Sequence, residues 1–260
     1  MSGKHNKKKT AKAGKVALWL GIVIALVVLI LVASLWIYLE KFGFTGDEET
    51  LPPNEQTEPS AQTDPSQSVV INSVQALGLT LGNGLKIQDV GSYTGIFMED
   101  GSDEPVTGVL MCLVTNNSEK DVQLLNFTLS NGSQTASFSL TNLPAGESVI
   151  VLESSRMAYA PGFTQAEVQN YAEFSAPMSL CQDKIQISSI GQAMNITNIS
   201  GEDISGDILI YYKNSATDVF YGGITYRVRI EGGLKADEIR QIVPSHFNAA
   251  STTVVLVTCG

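Results

Sequence analysis

Between Lys15 and Glu40 the chain runs for 24 residues without a charge, VALWLGIVIALVVLILVASLWIYL. A helix needs about 20 predominantly apolar residues to cross the hydrocarbon core of a bilayer, so residues 16–39 are expected to span a membrane once. Trp19 lies near one end of the run and Trp36 with Tyr38 near the other. At helical rise the two tryptophans stand roughly 26 Å apart, which suits the two interfacial aromatic belts. A cleaved secretory signal is the competing reading. Its apolar part is usually about 7–15 residues, shorter than this one, although Ala33-Ser34 offers a small-residue cleavage site. A helix lying in the interface would need a polar face, and no face of this segment has one.

Charge falls unevenly on either side of that run. Lys4, Lys7, Lys8, Lys9, Lys12 and Lys15 precede it, whereas all 26 acids of the chain lie at Glu40 or beyond. The positive flank sets the N-terminus in the cytoplasm and sends the rest outward. Residues 1–15 then form a basic cytoplasmic tail and 16–39 a signal-anchor of a single-pass plasma-membrane protein. Residues 40–67 hold Pro52, Pro53, Pro59 and Pro65 among seven acids and many Thr, Gln and Ser. Such a composition cannot bury enough apolar surface to fold, so this stretch is read as an extended acidic stalk. The strongly acidic extracytoplasmic part lacks the basic footprint that phosphate binding requires, which argues against a nucleic-acid partner.

From Ser68 onward the pattern changes to short runs rich in Val, Ile, Thr and Tyr separated by Gly, Asn and Asp, an all-β signature. The run Gly108–Val114 is apolar throughout, as expected of a central strand. Ala136, Phe138 and Leu140 alternate with Thr135, Ser137, Ser139 and Thr141 as in a half-buried strand. In the later part Ile224, Tyr226, Val228 and Ile230 share one face, with Thr225, Arg227 and Arg229 on the other. The chain also resembles itself. Leu85–Gln88 recurs as Asp183–Gln186 and Gly108…Asn116 as Gly206…Asn214, both at an offset of 98. Asp121-Val122 answers Asp218-Val219 at 97, and Leu143–Glu147 answers Leu234–Glu238 at 91. Ordered anchors of this kind point to a tandem duplication with loop deletions. About seven short strands in about 90 residues suggest an immunoglobulin-like β-sandwich for each copy, over 68–180 and 181–260, with a small barrel as the alternative.

Side chains able to do chemistry are few. His246 is the one histidine outside the tail, and Ser245 precedes it. With no Gly-x-Ser-x-Gly elbow, a loop histidine is the plainer reading and no catalytic residue is assigned. Glu99, Asp100, Asp103 and Glu104 crowd six positions, and hard oxygen ligands of that kind can take calcium. The spacing is not that of an EF-hand, and a solvated hairpin tip explains it equally well, so no metal or cofactor is assigned beyond that candidate loop. Arg227 and Arg229 point to one exposed face and are expected to pair with neighbouring acids. Cys181 and Cys259 sit at the two ends of the second copy and form a candidate disulfide. Parallel first and last strands would hold them apart, so both outcomes stay open. Cys112, inside an apolar run, reads as a buried thiol. Five Asn-x-Ser/Thr sequences, at Asn116, Asn126, Asn131, Asn195 and Asn198, read as Asn-rich turns. Phe220, Tyr221 and Tyr226 are candidate partner-binding aromatics, with alternation expected to bury about half of such rings.

The apolar strand ending in Asn (GDILIYYKN, 206–214), followed by the aspartate-led DVFY (218–221) and a turn before a polar strand, resembles the FxLYD-type immunoglobulin-like modules of exported bacterial proteins. The whole layout of basic tail, anchor, acidic stalk and two β units resembles single-pass cell-surface proteins of Gram-positive anaerobes. That resemblance implies a fold and an envelope location, and no binding or catalytic residues. The expected function is a non-catalytic, membrane-anchored extracytoplasmic binding or adaptor protein, touching the lipid bilayer through residues 16–39 and an unidentified protein or cell-wall polymer through its β domains. The alternative is an accessory subunit of a membrane complex for secretion, pilus assembly or signalling, with the helix in the interface.

Overall fold

The computed structural model describes residues 69–260. The tail, the expected spanning segment and the stalk lie outside the described residues. Thirteen strands follow in order: β1 (Val70–Gly82), β2 (Leu85–Phe97), β3 (Glu104–Asn116), β4 (Val122–Ser130), β5 (Thr135–Leu143), β6 (Ser148–Leu152), β7 (Gln165–Glu173), β8 (Ile185–Ile190), β9 (Ala193–Asn198), β10 (Ile208–Ala216), β11 (Val219–Ile230), β12 (Ile239–Ile242) and β13 (Thr252–Cys259). The described residues are all-β, with sheets packed face to face.

One sheet of seven strands, in the order β1-β2-β3-β6-β11-β10-β13, runs through both halves. Two three-stranded sheets, β5-β4-β7 and β12-β9-β8, cover it. Alternation builds the first core. Phe127 and Phe138 stack at 5.0 Å among Leu125, Leu129 and Leu140, and these pack on Ile87, Val90, Leu110, Cys112 and Val151 of the large sheet. In the second half Ile185, Met194 and Ile196 meet Ile208, Ile210, Tyr212 and Val257. The other face of β2, β3 and β6 is buried too, through Tyr93, Phe97, Met111, Ile150 and Leu152. Both faces of β3 are therefore dry, which is what its unbroken apolar sequence requires. Cys112 is fully buried in it.

The two halves are counterparts, but not everywhere along the alignment the sequence suggested. Asn116, at the end of β3, is fully buried. Its Nδ2 donates to the carbonyls of Lys120, Leu143 and Pro144 at 2.8, 3.3 and 3.1 Å. Its Oδ1 accepts from the N–H and hydroxyl of Ser118. Asn198, at the end of β9, repeats this bond for bond, donating to the carbonyls of Glu202, Leu234 and Lys235 and accepting from Ser200. Asp121 accepts the N–H of Ala145 as Asp203 accepts that of Ala236. The Leu143–Glu147 match to Leu234–Glu238 therefore holds, with Gly146 (φ 80°) and Asp237 (φ 59°) in the same left-handed position of the turn. The match of Gly108…Asn116 to Gly206…Asn214 does not, because the counterpart of Asn116 is Asn198. Asp121 likewise answers Asp203 rather than Asp218. Leu85 pairs with Asn116 as Ile185 pairs with Asn198, so the first anchor is displaced by two residues.

Candidate functional site

The halves meet at a kink in β11. Phe220 and Tyr221 pair in parallel with Val149 and Ile150 of β6. The register with β10 then jumps from Asn214↔Tyr221 to Tyr212↔Tyr226, so residues 222–225 bulge opposite Lys213. A bulge re-aims the strand, and here it carries β11 across to β5. Gly223 is required at the crossing, because a Cβ there would lie 1.9 Å from the carbonyl oxygen of Ser139.

Two charged side chains, Lys213 buried and Glu99 half-buried, clamp that glycine. Glu99, in the β2–β3 turn, accepts the Gly223 N–H on both carboxylate oxygens at 3.0 and 2.8 Å and the Leu152 N–H at 2.7 Å. Lys213 of β10 has no exposed surface. Its Nζ donates to the carbonyls of Gly223, Ile224 and Thr141 at 3.0, 2.7 and 3.1 Å. One residue is thus held on its N–H by the first half and on its C=O by the second. Burial pushes the Lys213 ammonium down to about 7, with the Glu99 charge acting the other way. Burial also pushes the Glu99 carboxyl up, opposed by its N–H donors and by Lys213. An unpaired charge at such depth would be strongly destabilising, so each depends on its partners.

Beside the joint lies a cleft of about 440 Å³ to which both halves contribute, with Ile96, Met98 and Asp103 on one side and Asn214, His246 and Phe247 on the other. Asp103 Oδ2 and His246 Nδ1 are 2.6 Å apart. Both residues adopt left-handed backbone, at φ 55° and 58°. The imidazole stacks on Tyr226 at 4.7 Å, Tyr226 stacks on Tyr212 at 5.7 Å, and Tyr212 meets Phe247 edge-on at 5.6 Å. The Tyr226 hydroxyl is buried with no hydrogen-bond partner among the described residues. Burial, then the Asp103 and Glu99 carboxylates, push that phenol well above its ordinary value. The lining offers an oriented carboxylate–imidazole pair, amides and an apolar wall, which suits polar recognition. No hydrogen bond joins the Ser245 hydroxyl to His246 among the described residues; the Ser245 carbonyl instead accepts from the Tyr212 hydroxyl at 2.6 Å.

The residues singled out from sequence are dispersed or brought together as follows. The acidic loop does not gather its carboxylates around one point, which corrects the calcium expectation at Glu99–Glu104. Glu99 turns inward, Asp103 turns to His246, and Asp100 and Glu104 take Arg156 at 2.8 and 2.5 Å. That guanidinium lies 4.5 Å over the Phe97 ring. No group of acids, histidines and cysteines able to hold a metal occurs among the described residues. Of the three candidate aromatics, Phe220 is buried in the first core, whereas Tyr221, against the β2-β3-β6 face, and Tyr226, in the ring stack, are half-buried. Arg229 pairs with Asp207 and Glu231. Cys181 and Cys259, whose separation was in doubt, are neighbours that pack on the second core as free thiols. The Asn-x-Ser sequences at 116 and 198 are the buried loop asparagines. Glu99, Lys213 and Asp103 were missed as a set. The Gly222-Gly223 pair and a lysine inside an apolar strand were the signals. No family model matches the chain, and neither a curated protein nor a solved structure matches it.

Proposed function

We propose that this chain is a membrane-anchored extracytoplasmic binding or adaptor protein that presents two immunoglobulin-like β-sandwich domains, over 68–180 and 181–260, as one rigid head to an envelope or protein partner. The carrying observation is the joint. Flexibly tethered domains have no need of two charged side chains clamping one glycine, whereas a head that must hold a two-sided cleft in shape does. The His246–Asp103 cleft is the contact region in this reading, and binding rather than catalysis is its role. The basic tail, the 24-residue uncharged run and the acidic stalk support the location, and the likeness to FxLYD-type modules supports a cell-surface setting.

The test is cross-linking in living cells with a photoreactive residue placed at Val243, on the cleft rim, or at Gln165, on the edge of the distant β7. Adducts to an envelope component that form at Val243, vanish with His246→Ala and are absent at Gln165 support the reading. Equal yields at both positions overturn it. Replacing residues 16–39 with an unrelated spanning segment separates the alternative: an accessory subunit with the helix in its interface loses its partner, whereas a simple anchor keeps it.

A further inference from the structure

We infer that Cys181 and Cys259 are a dithiol built to close into a disulfide joining the two ends of the second half. The segment before β8 runs along the outer edge of β13, where the Val257 N–H donates to the Ser179 carbonyl at 2.8 Å. The chain then turns at Cys181 in left-handed backbone (φ 48°). The Cys181 carbonyl accepts the N–H groups of Lys184 and Ile185 at 2.9 and 2.8 Å, and its own N–H donates to the Ser179 hydroxyl at 3.1 Å. This tight turn fixes the direction of the side chain. The Cys181 Sγ donates to the Val257 carbonyl oxygen at 3.3 Å, two residues along β13 from Cys259. Both side chains rest on the second core. Cys112 is sealed in the first core with no exposed surface, so it cannot compete.

The oxidant is a disulfide-bearing compound or protein. The Cys181 thiolate attacks one of its sulfurs, forming a mixed disulfide and expelling one thiol. The Cys259 thiol loses its proton and attacks the Cys181 sulfur of that adduct, forming Sγ–Sγ and releasing the second thiol. Two electrons and two protons pass from the pair to the oxidant, which leaves as two thiols. Burial and the neighbouring Cys181 push the Cys259 thiol up to about 12. The closed bond would pin β13, the edge strand of the large sheet, to the segment that covers it.

The full chain in detergent micelles, equilibrated with oxidised glutathione, provides the test. The expected result is one titratable thiol in denaturant, a Cys181–Cys259 linked peptide in a non-reducing digest, and a thermal midpoint roughly 10 °C lower after reduction, the size expected for closing a loop of this length in a domain of this size. A Cys112→Ala variant must keep the linked peptide and the shift, and Cys259→Ser must remove the reductant-dependent shift. Three titratable thiols, a persistent glutathione adduct on Cys181 or a bridge involving Cys112 overturns the assignment. None of these readouts depends on the partner or role proposed above.

Discussion

The β2-β3-β6 layer of the first half and the β8-β9-β12 layer of the second carry the same Asn-x-Ser loop and the same turn, yet they live in different surroundings. β1 covers the outer edge of β2, and β11 pairs with the far edge of β6. Among the described residues no strand lies beyond β8 or β12. The first layer is also buried on both faces by the two side-chain clusters that pack on it, while the second turns Gln186, Ser188, Ile239 and Gln241 outward and leaves Ile190 74 % exposed. Their sequences follow. β3 is apolar at every position from Val109 to Val114, whereas β9 buries Met194 and Ile196 and turns Asn195 and Thr197 outward. A conserved hydrogen-bond scaffold thus tolerates either environment, and the neighbours decide the strand's composition.

The sharpest way to break that asymmetry is at the joint that creates it. Gly223→Val would set a side chain against the Ser139 carbonyl and pull the peptide off Glu99 and Lys213 together. Disrupting a buried network with a backbone clash is expected to cost more than about 4 kcal/mol. In urea the single unfolding transition should split, with the first half keeping its own. An unchanged single transition would mean that the halves do not depend on this contact.

Lys213→Ala comes next, at about 2–4 kcal/mol, because it leaves the carbonyls of Gly223, Ile224 and Thr141 without their buried donor. Lys213→Met, which retains the volume, should cost less. The pH dependence has a definite sign. With a folded value of about 7 against an ordinary 10.5, the unfolded chain binds the Lys213 proton more tightly between those limits. Stability from this group therefore rises with pH from about 7 to 10.5, by up to about 1.4 kcal/mol per pH unit. Glu99, raised above 4.5, works in the acid range, where stability falls as pH climbs from 4.5 towards its folded value. Urea midpoints between pH 7 and 10 check this, and Lys213→Met should flatten the alkaline rise.

These charges also mark how far the sequence could be read. Periodicity was enough for the all-β class, for β3 as a central strand and for the half-buried β5, since each follows from which faces are wet. The repeat was visible, but its alignment slipped for a physical reason. Gly108–Asn116 and Gly206–Asn214 look alike because β3 and β10 are both interior strands of the seven-stranded sheet, and composition reports that position rather than ancestry. The true counterparts, Asn116 and Asn198, were in plain view as Asn-x-Ser but carry their meaning in three carbonyls, two of them distant in sequence. The cleft was illegible for a similar reason: Asp103 and His246 meet only because a glycine bulge in β11 docks one half on the other.

Between the halves, the asparagine loops should weigh the same. Asn116→Ala and Asn198→Ala each strand three carbonyls and a serine, and each is expected to cost about 2–4 kcal/mol. Values differing by less than about 1 kcal/mol in denaturant titrations would show that the motif acts independently of whether the layer around it is enclosed. A loss confined to Asn116 would instead assign its strength to the enclosed surroundings.

The smallest effect is expected where the counterparts differ in charge. Lys120 and Glu202 occupy the same loop position, and the motif uses only their main chain: each carbonyl accepts from the asparagine, and each N–H donates to the serine hydroxyl. The side chains stand in water, where the Lys120 pairing with Glu173 is screened. Exchanging them in one variant, Lys120→Glu with Glu202→Lys, preserves net charge and every bond of both loops. Its thermal midpoint should match the parent within measurement error, because opposite charges are interchangeable at a position whose job is done by the backbone. A clear shift would mean that the Lys120–Glu173 contact helps hold β7 against β4, and that the two loops differ in more than their surroundings.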